Sequence, residues 1–236
     1  MLLALTGLAA TAAAASYAGY ASMAPQSQLY GRTLIHGRDP RQIALTFDDG
    51  PNDPHTLRLL DVLAQHGAKA TFFLIGKYVR QRPEIVRSIR QSGHAIGNHT
   101  YNHPNLIFAS PARVRQELED CRKALEDAIG QHEPLFRPPF GGRLPHVFQV
   151  CRSLGLKPVM WSVTAYDWKA ESPESIVGYV SRAVTSRQDR GEIVLLHDGA
   201  HLALGADRAH TVEATRRLLQ EYSGKGKVFV SVPDLL

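Results

Sequence analysis

Cysteine is nearly missing from this chain: Cys121 and Cys151 are the only two in 236 residues. They form no C-x-x-C pair, which excludes a cysteine metal site, a dithiol redox motif and a disulfide-rich scaffold. Both fall on segments read below as helices, and two buried, unpaired thiols are expected. Charge is missing from the N-terminus. Met1 to Tyr30 contains no Asp, Glu, Lys or Arg, and Leu2 to Ala15 is almost entirely Leu, Ala, Thr and Gly. Ser22-Met23-Ala24 has the small-x-small pattern of a cleavage site, followed by polar Pro25-Gln26-Ser27-Gln28. Residues 1–24 are therefore expected to be a secretory signal or a short membrane anchor, although no Lys or Arg precedes the apolar run. Tyr17 and Tyr20 interrupt that run, so its length is marginal for a membrane span. The expected location is outside the cytoplasm, in the periplasm, cell envelope or medium. No other segment is long and apolar enough to cross a bilayer. Runs of Lys and Arg interleaved with aromatics are also missing, which excludes a nucleic-acid surface despite a net charge of +5.

There is no internal repeat and no low-complexity tract. With 44% hydrophobic residues the chain can bury one large core. An entry segment, 25–41, leads into a single domain spanning 42–236, expected to be a monomer. Strand and helix signals then alternate. Strands are expected at Gln42–Phe47, Ala70–Ile75, Ala95–Gly97, Leu135–Arg137, Lys157–Trp161, Glu192–Leu196 and Lys227–Val230. Helices are expected at Thr56–His66, Pro83–Ser92, Pro111–Ile129, Pro145–Leu154, Pro173–Thr185 and His210–Tyr222. Ser110 reads as an N-cap and Gly130 as a helix stop. In the first helix Leu57, Leu60, Val62 and Leu63 carry the apolar character. About seven β/α units predict an α/β fold with a parallel sheet, most simply a distorted (β/α) barrel. A doubly wound open sheet is the runner-up, but no G-x-G-x-x-G follows the first strand.

Chemistry gathers where those strands end. Thr46-Phe47-Asp48-Asp49-Gly50 closes an apolar strand with two carboxylates, a costly placement unless a cation or a proton uses them. Strand alternation is expected to point Asp48 and Asp49 in different directions, one toward a metal and the other toward a proton. The plainer reading is a solvated Asp-Gly turn. His99-Thr100-Tyr101-Asn102-His103 places two imidazoles at i and i+4, facing one way if the segment makes a helical turn. The spacing itself is weak evidence: 11 His in 236 residues yield about half such a pair by chance, and His197 with His201 is a second one. Position after a strand favours His99 and His103. With Asp49 they make a two-His, one-carboxylate set that leaves coordination positions free.

Arg137-Pro138-Pro139-Phe140-Gly141 follows another strand. Arg137 is placed to hold Asp48 ionised, and the prolines stiffen a turn that presents the Phe140 and Gly141 N–H groups, as an oxyanion hole requires. Asp167-Trp168 and Leu195-Leu196-His197-Asp198 end two later strand regions. A carboxylate beside a histidine favours the protonated ring of a general acid, and an exposed tryptophan suits the apolar face of a sugar. Neither His pair reads H-E-x-x-H, which excludes that type of metalloprotease.

In this order, the five segments resemble the motifs of the polysaccharide deacetylase family, the NodB-homology domain of carbohydrate esterase family four. The resemblance covers about Gln42 to Leu236, including Val230-Ser231-Val232-Pro233. It implies a divalent metal, usually zinc, with Co2+ or another divalent ion as substitutes, held by Asp49, His99 and His103. It implies Asp48 as general base, Arg137 as its anchor, Phe140 N–H at the oxyanion, and His197 as general acid tuned by Asp167. Trp168 and Leu195 would form an apolar wall. Two departures stand out: Thr164 where the fourth motif usually begins with Asp, and Phe140 where the third often has Tyr. The expected partner is an N-acetylated polysaccharide or oligosaccharide of the peptidoglycan or chitin type, deacetylated with release of acetate. An O-acetyl xylan esterase and a non-catalytic carbohydrate-binding relative are the alternatives.

Overall fold

The computed structural model describes residues 15–235. Residues 15–23 are helical (α1), followed by β1 (His36–Gly37) and the central strand β2 (Gln42–Gly50). Helix α2 (His55–Gln65), β3 (Ala70–Leu74), α3 (Gly76–Gln81), α4 (Pro83–Gln91), β4 (Ala95–Asn98) and α5 (Pro111–Ile129) come next. The chain continues through β5 (Leu135–Phe136), α6 (Pro145–Ser153), β6 (Lys157–Pro158), β7 (Val163–Thr164), α7 (Pro173–Ser186), β8 (Gly191–His197), α8 (Ala209–Ser223) and β9 (Val228–Phe229).

Seven strands run parallel in the order β7-β8-β2-β3-β4-β5-β6, the distorted barrel expected from the alternation, although β7 is not among the expected strands and the expected strand Lys227–Val230 is β9, off this path. β9 adds parallel to the start of β2, where β3 has not yet begun. The gap between β6 and β8 is crossed by the entry segment. Leu34 donates to Pro158 and accepts from Met160, and two residues later His36 and Gly37 pair antiparallel with Glu192 and Gly191 of β8. No periodic signal marks so short a piece, which the sequence shows only as part of the entry segment 25–41.

Alternation along β2 sorts the molecule into layers. Ile43, Leu45 and Phe47 face outward into the larger core beneath the helices, with Phe47 stacked on Phe72 at 5.1 Å. Ala44 faces inward and packs with Phe73, Leu135, Val159 and Ile193, over Val232 and Leu235 from the C-terminal turn. Each fully buried side chain of this size contributes about 1.5–3 kcal/mol. The helices expected from sequence appear within a residue at each end. In α2, however, Leu59, Leu60 and Leu63 are buried and Leu57 is on the outer face. α5 starts as expected, with the Ser110 hydroxyl accepting from the Arg113 N–H, and ends at Gly130 with φ 77°. Cys121 and Cys151 are buried and unpaired.

Of the expected leader, residues 1–14 lie outside the described residues. The described part is fastened to the domain: Ala21 and Ser22 are buried, and Ser22 O accepts from the Arg143 N–H at 2.9 Å. Arg143 is itself buried, and its guanidinium donates to the carbonyls of Gly141, Ala24 and Ser27 at 2.8, 2.7 and 2.9 Å. Among the described residues no helix is long and apolar enough to cross a membrane.

Candidate active site

The C-terminal ends of the parallel strands open into a cavity of about 360 Å³. Asp48, Asp49, His99, His103, Phe140, Trp168, Leu195 and His197 all line it. Arg137 lies beneath them, fully buried.

Asp48 points inward on β2, two residues beyond Thr46. Arg137 reaches both from the end of β5: Nη1 donates to Asp48 Oδ1 at 2.8 Å and to Thr46 Oγ1 at 2.7 Å. Its other nitrogens donate to Met160 O and Val159 O at 3.0 and 3.4 Å, and its plane lies 4.2 Å from the Phe73 ring. Burial pushes the guanidinium pKa down, and the adjacent Asp48 charge opposes that. A fork held by fixed carbonyls and an aromatic face leaves Asp48 one orientation.

Strand alternation does not hold for Asp49. The pairing of β2 with β3 shifts register between Asp48 and Gly50, and Asp49 takes φ 72°. This bulge turns Asp49 to the same side as its neighbour, and His99 Nε2 lies 3.7 Å from Asp48 Oδ2 and 3.5 Å from Asp49 Oδ1. Gly50 is required by contact. A Cβ there would sit 2.2 Å from Asp198 Oδ2. The site is therefore not a solvated Asp-Gly turn. Asp198 is buried, accepts from the Thr56 hydroxyl at 2.5 Å, and has its carboxyl pushed up to about 7 by burial, with the Asp49 and Asp48 charges adding to it.

His99 and His103 do not share a helical turn. They flank a loop in which Thr100 and His103 both have positive φ, 65° and 63°. Side chains supply what the missing helix would have supplied. Asn98 Oδ1 accepts from Thr100 N, Thr100 Oγ1 accepts from His103 N, and buried Glu117 of α5 accepts from the N–H groups of Tyr101 and Asn102. His99 Nδ1 donates to Arg137 O at 2.7 Å, which leaves Nε2 as an acceptor toward the cavity. His103 Nε2 is 3.2 Å from Asp49 Oδ1.

The ligand atoms of Asp49, His99 and His103 lie within 4.8 Å of one another, all buried. Asp49 Oδ1 and His103 Nδ1 have no hydrogen-bond partner among the described residues. Burial opposes ionisation of Asp49, and the His103, His201 and His99 rings outweigh it, holding the carboxyl well below its usual range. Burial keeps His103 below its usual value, favouring the neutral ring. A buried carboxylate and two imidazoles converging on one point fit a divalent cation, which binds deprotonated donors.

At the end of β8, the strand beside β2, His197 Nδ1 donates to Asp167 Oδ1 at 2.8 Å. Asp167 Oδ2 accepts from the His197 N–H and the Thr211 hydroxyl at 2.7 and 2.9 Å. Burial alone would favour the neutral ring. The Asp167 carboxylate, with Asp49 and Asp48 beyond, reverses this and raises His197 to about 9. Trp168 stands edge-on to His197 at 5.0 Å, and Leu195 lies two residues before it on β8.

The chain around this pocket matches the family model for polysaccharide deacetylases over residues 36–159. A peptidoglycan-N-acetylglucosamine deacetylase of Bacillus cereus is 41% identical over 197 residues, covering 82% of this chain and 87% of the relative. The chain belongs to the polysaccharide deacetylase family. A chitooligosaccharide deacetylase of a Bradyrhizobium strain is 42% identical over 202 residues, covering 83% and 90% of the two chains. Among solved structures, a peptidoglycan N-acetylglucosamine deacetylase superposes with a TM-score of 0.79 at 32% identity, covering 86% of this chain and 92% of that one.

Within this family member, the residues singled out from sequence come together at one pocket, and a further expectation, beyond strand alternation at Asp49 and a helical turn at His99–His103, needs correcting. His201, treated as half of a chance pair, is at the site. Its ring stacks on His103 at 4.6 Å, and its Nδ1 is 3.8 Å from Asp49 Oδ2. Its carbonyl accepts from Lys77 Nζ and the Tyr78 hydroxyl of α3. Phe140, with φ 55°, packs its ring against both His103 and His201 at 4.7 and 5.2 Å. Glu117 and Thr211 went unnoticed, and Thr46 was read only as part of its strand, because an isolated polar residue in a helix or strand carries no local sign of its distant partner.

Proposed function

We propose that this protein is a metal-dependent hydrolase that removes N-acetyl groups from N-acetylglucosamine units of a peptidoglycan- or chitin-type polysaccharide, releasing acetate. The observation that carries the reading is the placement of Asp48, His197 and the Asp49–His99–His103 cluster in one pocket with an apolar wall. Asp49 Oδ1 and the two imidazole Nε2 atoms would hold the cation, and zinc suits this donor set. When bound, the ion supplies Lewis acidity toward water and the acetamide carbonyl.

The remaining steps belong to the chain. Asp48, oriented by Arg137, accepts a proton from the attacking water. The Phe140 N–H, on a turn stiffened by Pro138 and Pro139, donates to the oxyanion that forms as the carbonyl becomes tetrahedral. His197 delivers its proton to the departing sugar nitrogen, and Asp167 steadies the imidazolium until then. Trp168 and Leu195 exclude water and pack the acetyl methyl and sugar face. The proposal includes export of a monomer to the cell envelope or medium, with attachment through the N-terminus, supported by the charge-free first 30 residues.

The test is acetate release from chitooligosaccharides, peptidoglycan and acetylxylan by protein loaded with zinc or stripped by chelator. Zinc-dependent release from the N-acetylated glycans supports the reading. Release from acetylxylan alone sinks it.

A further inference from the structure

The loop from His99 to His103 is held from outside. The His99 N–H donates to Leu74 O of β3 at 3.0 Å. The Thr100 and Tyr101 carbonyls accept from Gly76 N and Lys77 N, the first residues of α3, at 2.9 and 3.0 Å. Asn98, just before the loop, donates through Nδ2 to Leu118 O of α5 and accepts the Thr100 N–H through Oδ1, both at 2.9 Å. These contacts maintain a backbone that would not form unaided: Thr100 and His103 have φ 65° and 63°, which residues other than glycine rarely adopt.

Glu117 of α5 closes the remaining side. Its Oε2 accepts from the Tyr101 and Asn102 N–H groups at 2.9 and 2.7 Å, and its Oε1 accepts from Asn102 Nδ2 at 2.9 Å. Arg113 Nη2, one turn earlier on the helix, meets Oε1 at 2.6 Å. The residue is only 1% exposed, on a helix face otherwise buried through Val114, Leu118, Cys121, Ala124 and Leu125. A carboxylate is buried at such a position only where donors replace its water, and these four do so. An apolar side chain would pack there at lower cost, so stability of α5 alone does not account for the charge.

We infer that Glu117 is a positioning residue for the candidate metal centre, clamping the loop so that His99 and His103 already converge before a cation binds. The inference rests on the metal-dependent reading above. Glu117 contacts neither of the two histidine rings, and its contribution is to affinity. A loop fixed in its binding conformation loses no backbone freedom when the ion arrives. Leu74, Gly76 and Lys77 hold the loop through backbone atoms, and Asn98 adjoins a ligand in sequence. Glu117 stands on a separate helix, so its side chain can be replaced while every candidate ligand stays in place.

The experiment titrates the metal-free full chain with zinc against a chromophoric chelator. Glu117→Met keeps side-chain length and deletes the acceptors, and its zinc dissociation constant should rise by roughly 10 to 100-fold. Glu117→Gln keeps one oxygen for the Tyr101 and Asn102 N–H groups and should recover most of that loss. Arg113→Gln leaves the clamp standing and should bind like wild type. In the metal-free Glu117→Met chain the Tyr101 and Asn102 amides should also exchange faster with solvent. A glutamate that serves stability alone would lower the unfolding midpoint and leave the zinc affinity of the folded chain unchanged. Equal affinities in Glu117→Met and wild type, or equal losses in Glu117→Met and Glu117→Gln, therefore overturn the inference. Should Glu117→Met not fold, Glu117→Asp, which withdraws the carboxylate by one methylene, takes its place with the same outcomes. Tight binding by every variant removes only the role of Glu117, whereas no zinc binding by wild type sinks the metal-dependent reading and the inference with it.

Discussion

Asp48 of β2 and His197 of β8 are register partners on adjacent parallel strands. Residues 149 positions apart in sequence thus stand at the same level of the barrel, facing one cavity from neighbouring strand ends. Arg137 anchors the first and Asp167 the second. In the proposed reaction the first would accept a proton from water and the second would donate one to the leaving nitrogen, and the following outcomes are expected.

Asp48→Asn leaves all three candidate ligands in place. Metal content should stay at the wild-type level while the rate of acetate release falls by about 10² to 10⁴, the range for loss of a general base. Arg137→Lys should also impair catalysis, because one ammonium cannot serve Asp48, Thr46 and two carbonyls together. Metal analysis and single-turnover assays check both, and metal loss in Asp48→Asn would contradict the role.

His103→Ala removes one of three protein donors and should abolish tight metal binding. His201→Ala should retain stoichiometric metal, with affinity lowered by roughly 10 to 100-fold, since its ring only braces His103 and approaches Asp49. Competition titration with a chelator separates the two variants. Equal loss in both would make His201 a ligand.

The pH profile tests the acid. His197 must be protonated to act, so its pKa sets the alkaline limb of the rate profile. Asp167→Asn deletes the charge that raises His197 from 6.5 to about 9, and the limb should move to lower pH. A cation at Asp49 offsets part of the acidic field, so the limb of the loaded enzyme should lie below that of the chelated protein's His197 titration. The sign for stability follows. The imidazolium contributes fully below about pH 6.5, and the contribution is lost as pH rises through about 9. Proton NMR of the ring and rate profiles should agree in direction.

Substrate choice divides acid from base. His197→Ala should cost more on an N-acetyl substrate than on an activated acetate ester, whose leaving group needs no proton. Asp48→Asn should cost both. Equal damage to both substrates by His197→Ala would remove it from the acid role.

Arg143→Ala should destabilise the fold by about 1–3 kcal/mol, because the carbonyls of Gly141, Ala24 and Ser27 lose their buried donor. Denaturant midpoints measure it. A change below about 0.5 kcal/mol would show that residues 22–27 are held by other means.

Much of this was legible in sequence because it is local. Strand and helix order follows from hydrophobic period and from stops such as Gly130, and the motif residues sit where strands end. The same local logic failed where the backbone departs from its period. Asp49 faces the wrong way for a regular strand until a bulge and a positive φ turn it. His99 and His103 converge through a loop clamped by Glu117, not through helical spacing. His201 looked like a chance repeat because its relation to His103 crosses the barrel mouth.

The sequence by itself determined the alternation of strands and helices, the residue types at the strand ends and the absence of cysteine chemistry. Each depends on neighbours a few positions away, where backbone geometry is set by side-chain type. Only the tertiary structure decided which of those residues meet. Burial and charge at His197, the orientation of Asp48 by Arg137, and the stacking of His201 on His103 all arise from contacts between distant segments. Those contacts form when the hydrophobic faces close the barrel, and no local pattern encodes them.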